Sequence, residues 1–164
     1  MSVREFNVDL DRPPEDRWTF LCSEADSCRS MIKAHVEDLG GLDQFGPILE
    51  EYANAHVPPV YLAEMEGIAG LLEVPRSEVL LANLYYDAMI FVLGCTAFAI
   101  DTENGPLHAR NLDWWSPSTT LSDQTQIYRF VKDGVHRFST ISWPGFIGAL
   151  SGIAACGLRA PNRP

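Results

Sequence analysis

Hydrophobic positions recur along the chain at two different periods, helical up to about residue 93 and alternating from residue 95 onward. An extended segment comes first: Phe6, Val8 and Leu10 alternate with Asn7 and Asp9, the period of a strand, and Pro13-Pro14 ends it. Trp18, Phe20 and Leu21 then stand as anchors for the helices beyond them. The spacing predicts a helix from about Ser27 to Leu39, with Met31, Ile32, His35, Val36 and Leu39 on one face and Gly40-Gly41 as its stop. A second helix starts near Pro47, turns Ile48, Leu49, Tyr52, Ala53 and His56 inward, and ends before Pro58-Pro59. A third covers about Val60 to Leu72 with Tyr61, Met65, Ile68 and Leu72 as its stripe. The fourth follows Pro75, from about Ser77 to Ile90. Stripes of this kind read as core, and His35 and His56 as packing residues with one satisfied nitrogen.

From Cys95 the period becomes two. Thr96, Phe98 and Ile100 alternate with Ala97 and Ala99, and the cluster from Asp101 to Pro106 holds an Asn104-Gly105 hairpin signal. Leu107 to about Trp114 reads as the returning strand. Ile127 to Val131, the Asp133-Gly134 turn and Val135 to Ile141 read as a second hairpin, and Phe146 to Ile153 as a further strand. The chain is therefore α+β, helical first and β second, with the change at Gly94-Cys95.

Composition narrows the function classes. The 164 residues are 46% hydrophobic and 21% charged, an ordinary globular balance. A formal net charge of −10, with no Lys/Arg run, repels phosphate backbones and sets nucleic acid aside. Met1 to Phe6 carries no apolar h-region, and the longest apolar stretch, Ala88 to Gly94, is too short to span a bilayer. These points lead to the expectation of a cytoplasmic protein without a transmembrane segment. Cys22, Cys28, Cys95 and Cys156 contain no C-x-x-C pair, and His35, His56, His108 and His136 are scattered, so neither a metal site nor a cofactor is expected. A Cys22–Cys28 bridge fits by spacing, although cytosolic thiols are expected to stay reduced.

The junction is where chemistry is to be sought. A cysteine needs a base to become a thiolate, and no histidine lies near Cys95 in sequence. If the bond after Gly94 is cut, Cys95 gains a free α-amine with an ordinary pKa of roughly 7.7–8.0. That amine can take the thiol proton and return it to a leaving amine. With Asn104-Gly105 as a two-residue turn, Cys95 faces Trp114, with Asp113 beside it. Arg110 then lies opposite Ala99, roughly 13 Å along the strand at 3.3 Å per residue. Asp113 could hold the ammonium, and Arg110 could orient Asp113 or bind the substrate carbonyl region through its guanidinium fork. Spacing alone leaves the plain alternatives open: strand-end Asp and Arg as surface residues, and Cys95 as a small buried hydrophobe.

Four blocks in order resemble one family. Cys95-Thr96, Asn104-Gly105 and Arg110-Asn111-Leu112-Asp113 resemble the C-T-[S/A]…G…R-N-[L/M]-D block of the acid ceramidase and N-acylethanolamine acid amidase family. Asn7 to Trp18 resembles its N-terminal segment, and Ala82-Asn83-Leu84-Tyr85-Tyr86-Asp87 the helix before its nucleophile. Trp143 to Gly152 resembles a later strand. The wider choloylglycine hydrolase and penicillin acyltransferase group shares a looser version. The resemblance implies a cysteine N-terminal-nucleophile (Ntn) hydrolase with an αββα sandwich, made as a precursor that cleaves itself before Cys95. Residues 1–94 would be a helical subunit that stays bound, 95–153 the start of the β-sheet domain, and 154–164 a tail unlike the family.

By the same resemblance, Cys95 attacks an amide, Asp113 contacts its amine and Arg110 supports the site. The substrates implied are lipid N-acyl amides such as N-acylethanolamines or ceramide-like molecules. Family chains are about twice this length, and their later part supplies further strands, an oxyanion-stabilising Asn and a second Arg. The expectation is thus an incomplete sandwich, impaired in activity and prone to self-association, with a frameshift or truncation behind the tail. The competing readings are a non-catalytic module that binds lipid or a partner, and a choloylglycine- or penicillin-type acylase.

Overall fold

The structure is a computed structural model that describes residues 3–39, 41, 46–89, 94–113 and 120–154. Strand β1 (Arg4–Asp9) opens the chain and lies parallel to β4 (Gln126–Lys132), which pairs antiparallel with β5 (Val135–Ser142), itself antiparallel to β6 (Ser151–Ala154). Four helices, α1 (Ala25–Asp38), α2 (Gly46–His56), α3 (Pro59–Leu72) and α4 (Arg76–Met89), come between. A separate antiparallel hairpin of β2 (Gly94–Thr102) and β3 (Gly105–Asp113) comes next, and the short α5 (Thr120–Asp123) leads into β4. The α+β class read from the sequence is the class adopted, in keeping with part of an Ntn-hydrolase fold.

The core forms where the first twenty residues meet the sheet. Trp18 is 1% exposed and sets its ring edge-on to Tyr128 at 5.2 Å and Phe130 at 6.3 Å, with Phe20 tilted beside it at 5.8 Å. Its indole N–H donates to Glu64 Oε2 at 2.7 Å, and Arg17 Nη1 donates to Oε1 at 2.7 Å. The buried carboxylate of α3 is thereby both neutralised and hydrogen-bonded, as a buried charge requires. Leu21, Ile32, Met65, Ile68, Leu72, Val79 and Leu80 fill the space between sheet and helices.

One glycine makes the approach of α3 to the N-terminal segment possible. A Cβ on Gly67 would stand 2.0 Å from the Glu15 carbonyl oxygen. Gly67→Ala is therefore expected to destabilise the fold by about 2–3 kcal/mol through overpacking. Gly70→Ala, which meets nothing within 4 Å, should instead stabilise by about 0.5–1 kcal/mol. Urea unfolding midpoints of the two variants check the contrast.

Several elements differ from the sequence reading. In α2 only Ala53 is buried, while Ile48 (65% exposed), Tyr52 and His56 face outward, with the Tyr52 and His56 rings 4.8 Å apart. Two adjacent i, i+4 rows of this helix are apolar, and the row through Ala53 toward Val57 docks on the core. His56 is thus not a packing histidine. Tyr61 of α3 is also exposed, while Met65, Ile68 and Leu72 are buried as the stripe predicts.

The strand expected over Phe146 to Ile153 is shortened to Ser151–Ala154. Residues 143–150 instead form a packed loop with Trp143, Pro144, Gly145 and Phe146 buried and Gly145 at φ +81°. Several of its backbone groups bond side chains rather than a neighbouring strand. Asn83 Nδ2 donates to Gly145 O at 3.0 Å, Ile147 N donates to Asn83 Oδ1 at 2.8 Å, and Ser142 Oγ donates to Phe146 O at 3.2 Å. The second hairpin turns as expected, with Asp133 at φ 53° and Gly134 at φ 69°, the signs of a type I′ turn. The tail at 155–164 and Trp114 lie outside the described residues.

His35 is buried as predicted, 4.7 Å from the Tyr85 ring and 6.0 Å from Trp143. Burial pushes its pKa down to about 4, opposed by the nearby Asp38 carboxylate. The unfolded chain then protonates first as pH falls below about 6.5. The stability contributed is complete above that pH, declines as pH drops toward 4, and amounts to roughly 3 kcal/mol in all. Urea midpoints measured from pH 7 to 4 should show this slope, and His35→Gln should remove it.

Candidate active site

The β2–β3 hairpin sets the site's geometry through its turn. Thr102 pairs with Gly105, so Glu103 and Asn104 form the turn, and Gly105 comes after them at φ +103°. Asn104 does not adopt the positive φ of a type I′ turn. The glycine serves the position after the turn, as in a G1 bulge. The pairing is shifted by two residues from an Asn104-Gly105 turn: Cys95 opposes Leu112, not Trp114, and Arg110 opposes Ala97, not Ala99. That shift matters chemically. Arg110 moves from four residues along to two, about 7 Å at 3.3 Å per residue, within reach of its long side chain.

Residues directly opposed across a ladder share a face. Cys95, Ala97 and Ala99 therefore lie with Arg110 and His108 on one side, and Phe98 and Ile100 with Leu107 and Ala109 on the other. Arg110 Nη2 donates to Cys95 Sγ at 3.2 Å, and Nη1 donates to Ser151 Oγ of β6 at 3.4 Å. A guanidinium in contact with a sulfur favours its thiolate form. Cys95 is exposed, which removes the reading of it as a small core hydrophobe. Asp113 pairs through its backbone with Gly94, next to Cys95; its side chain lies outside the described residues.

The other described cysteines differ. Cys28 is buried, and desolvation first, then Glu24, pushes its pKa up to about 12, which makes it inert; Cys22 is exposed. The two are not bridged.

Beside Arg110 opens a cavity of about 600 Å³, counting its mouth, between the hairpin and the sheet. His108 and Arg110 line one side; Ile141, Trp143, Leu150 and Ser151 line the other. Its lining mixes polar His108, Arg110, Thr125 and Ser151 with apolar Ile141, Trp143 and Leu150. Sequence reasoning brought together Cys95, Arg110 and Asp113 but missed Ser151. No spacing rule links strands of two different sheets, and its one signal was membership in the Trp143-to-Gly152 block. Among the described residues no group of three or more His, Cys, Asp or Glu gathers to hold a metal ion, and no helix is long and apolar enough to cross a membrane.

No family model matches the chain. Individual proteins do. The rat N-acylethanolamine-hydrolyzing acid amidase is 30% identical over 155 residues, covering 90% of this chain and 41% of the relative. The Caenorhabditis elegans N-acylethanolamine-hydrolyzing acid amidase is 27% identical, covering 91% of the chain and 44% of its own length. Human acid ceramidase is 25% identical over 173 residues, 93% of this chain and 43% of the relative. The chain thus spans less than half the length of these relatives. They also correct the cytoplasmic expectation, since acid ceramidases are lysosomal, secreted proteins; the first six residues do not decide the compartment. Over about nine-tenths of its length this chain is similar to the acid ceramidases and the N-acylethanolamine-hydrolyzing acid amidases, the family that its motifs resemble.

Proposed function

We propose that this chain hydrolyses the amide bond of lipid N-acyl amides, N-acylethanolamines or ceramide-like molecules, with Cys95 as an N-terminal nucleophile. Cleavage after Gly94 frees the Cys95 amine. The thiol proton passes to that amine, and Sγ attacks the amide carbonyl. The proton then goes to the departing amine as the C–N bond breaks, leaving a thioester on Cys95. Water hydrolyses the thioester, releasing the fatty acid and the thiol. Arg110 holds the thiolate, and Asp113 holds the ammonium form of the amine.

The observation that supports this most is the Arg110 contact to Cys95 Sγ at 3.2 Å at the exposed leading end of β2. The names of the similar proteins support the amide and the lipid. Two fragments parted at Gly94 would stay together, because β1 is hydrogen-bonded along its length to β4. Exposed Phe98, Ile100 and Leu107 on the hairpin's other face favour self-association.

The test is fatty-acid release from a panel of N-acyl amides graded in chain length. Turnover that rises with acyl length, and that iodoacetamide blocks in step with labelling of Cys95, is the expected result. Turnover indifferent to Cys95 labelling would refute the assignment.

A further inference from the structure

We infer that Ser151 is a positioning residue that aims the Arg110 guanidinium at Cys95, an inference that rests on the reading of Cys95 as nucleophile. Two nitrogens of one planar fork are engaged, Nη1 with Ser151 Oγ at 3.4 Å and Nη2 with Cys95 Sγ at 3.2 Å. Because the guanidinium is rigid, fixing one nitrogen fixes the direction of the other. The hairpin that carries Cys95 and Arg110 is a sheet of its own, whereas Ser151 belongs to the four-stranded sheet. The serine therefore ties the orientation of a long, half-buried arginine to the larger part of the molecule.

Ser151 is itself firmly placed. It pairs with Ile141 of β5, and the preceding Leu150 N donates to Ile141 O at 3.2 Å. The loop leading to it is held by buried Asn83 of α4 through Gly145 O and Ile147 N, and by Ser142 Oγ donating to Gly148 O at 3.1 Å. A path of hydrogen bonds and covalent chain thus runs from α4, through the 143–150 loop and β6, to the guanidinium and the sulfur. The serine hydroxyl is one link between the two sheets. Without it, the arginine keeps its charge but loses its hydrogen bond to the larger sheet.

The experiment is the pH dependence of iodoacetamide labelling, followed residue by residue by peptide mass spectrometry on the full chain. Exposed Cys22 serves as the internal reference. In Ser151→Ala, labelling of Cys95 at pH 7 is expected to slow about threefold to tenfold, with the profile moved toward alkaline pH. Cys22 should be unchanged, and Ser151→Thr, which restores a hydroxyl, should return Cys95 to the parent profile. Arg110→Gln should slow Cys95 at least as much. A Cys95 profile in Ser151→Ala that overlays the parent overturns the inference. If Arg110→Gln slows labelling in that same experiment, the nucleophile reading survives without Ser151; if Arg110→Gln also overlays the parent, the thiolate-holding role of Arg110 falls with it.

Discussion

Cys95→Ala is expected to lower turnover of long-chain N-acyl amides by roughly 10⁴-fold or more, the scale on which a covalent nucleophile is lost. The effect should appear in the rate of the chemical step with little change in stability, because Cys95 is exposed at a strand end and packs no core. Cys28→Ala makes the opposite comparison. Its thiol is fully buried against the sheet and pushed up to about 12 by desolvation, so its loss should cost stability and leave the chemistry of Cys95 alone. Parallel assays of fatty-acid release and urea unfolding on both variants separate the two roles.

The second large effect is structural. Trp18→Ala removes the ring that Phe20, Tyr128 and Phe130 surround, at an expected cost of about 3–5 kcal/mol. Total stabilities of domains lie around 5–15 kcal/mol, so the variant is left close to unfolding. The indole also donates to buried Glu64, alongside Arg17. Trp18→Phe, which keeps an aromatic ring and drops the N–H, should cost a smaller amount, about 1–3 kcal/mol, for the donor the carboxylate loses. The difference between the two variants in urea midpoints measures packing apart from hydrogen bonding.

Much of this architecture could be read from residue order, and the failures have physical causes. Helix positions followed from period and from Pro and Gly punctuation, so α1 to α4 lie within a few residues of expectation. The Asp133-Gly134 turn was legible because both residues tolerate positive φ, and both adopt it. The same reasoning misread Asn104-Gly105, because a glycine there can serve either within a turn or just after it, and only the pairing of the flanking strands decides. In α2 the apolar residues occupy two neighbouring rows, and periodicity does not choose between them; contact with the core does. Residues 146–150 looked like part of a strand because several are apolar, yet Phe146 O, Ile147 N and Gly148 O bond side chains of Ser142 and Asn83.

The candidate site was half legible. Cys95 and Arg110 stood out as a motif, but the two-residue error in register put them too far apart, and the correct turn brings them into contact. Ser151 reaches them only through tertiary structure. The buried linkage of α4 to the 143–150 loop likewise depends on a buried asparagine, whose partners lie 62 and 64 residues away in sequence.

The most direct test is the mass of the purified chain after incubation, with the N-terminus of each product identified. The account predicts two products parted between Gly94 and Cys95, formed by the parent chain and absent from Cys95→Ala. A parent chain that stays whole, or an equal split in Cys95→Ala, would contradict it.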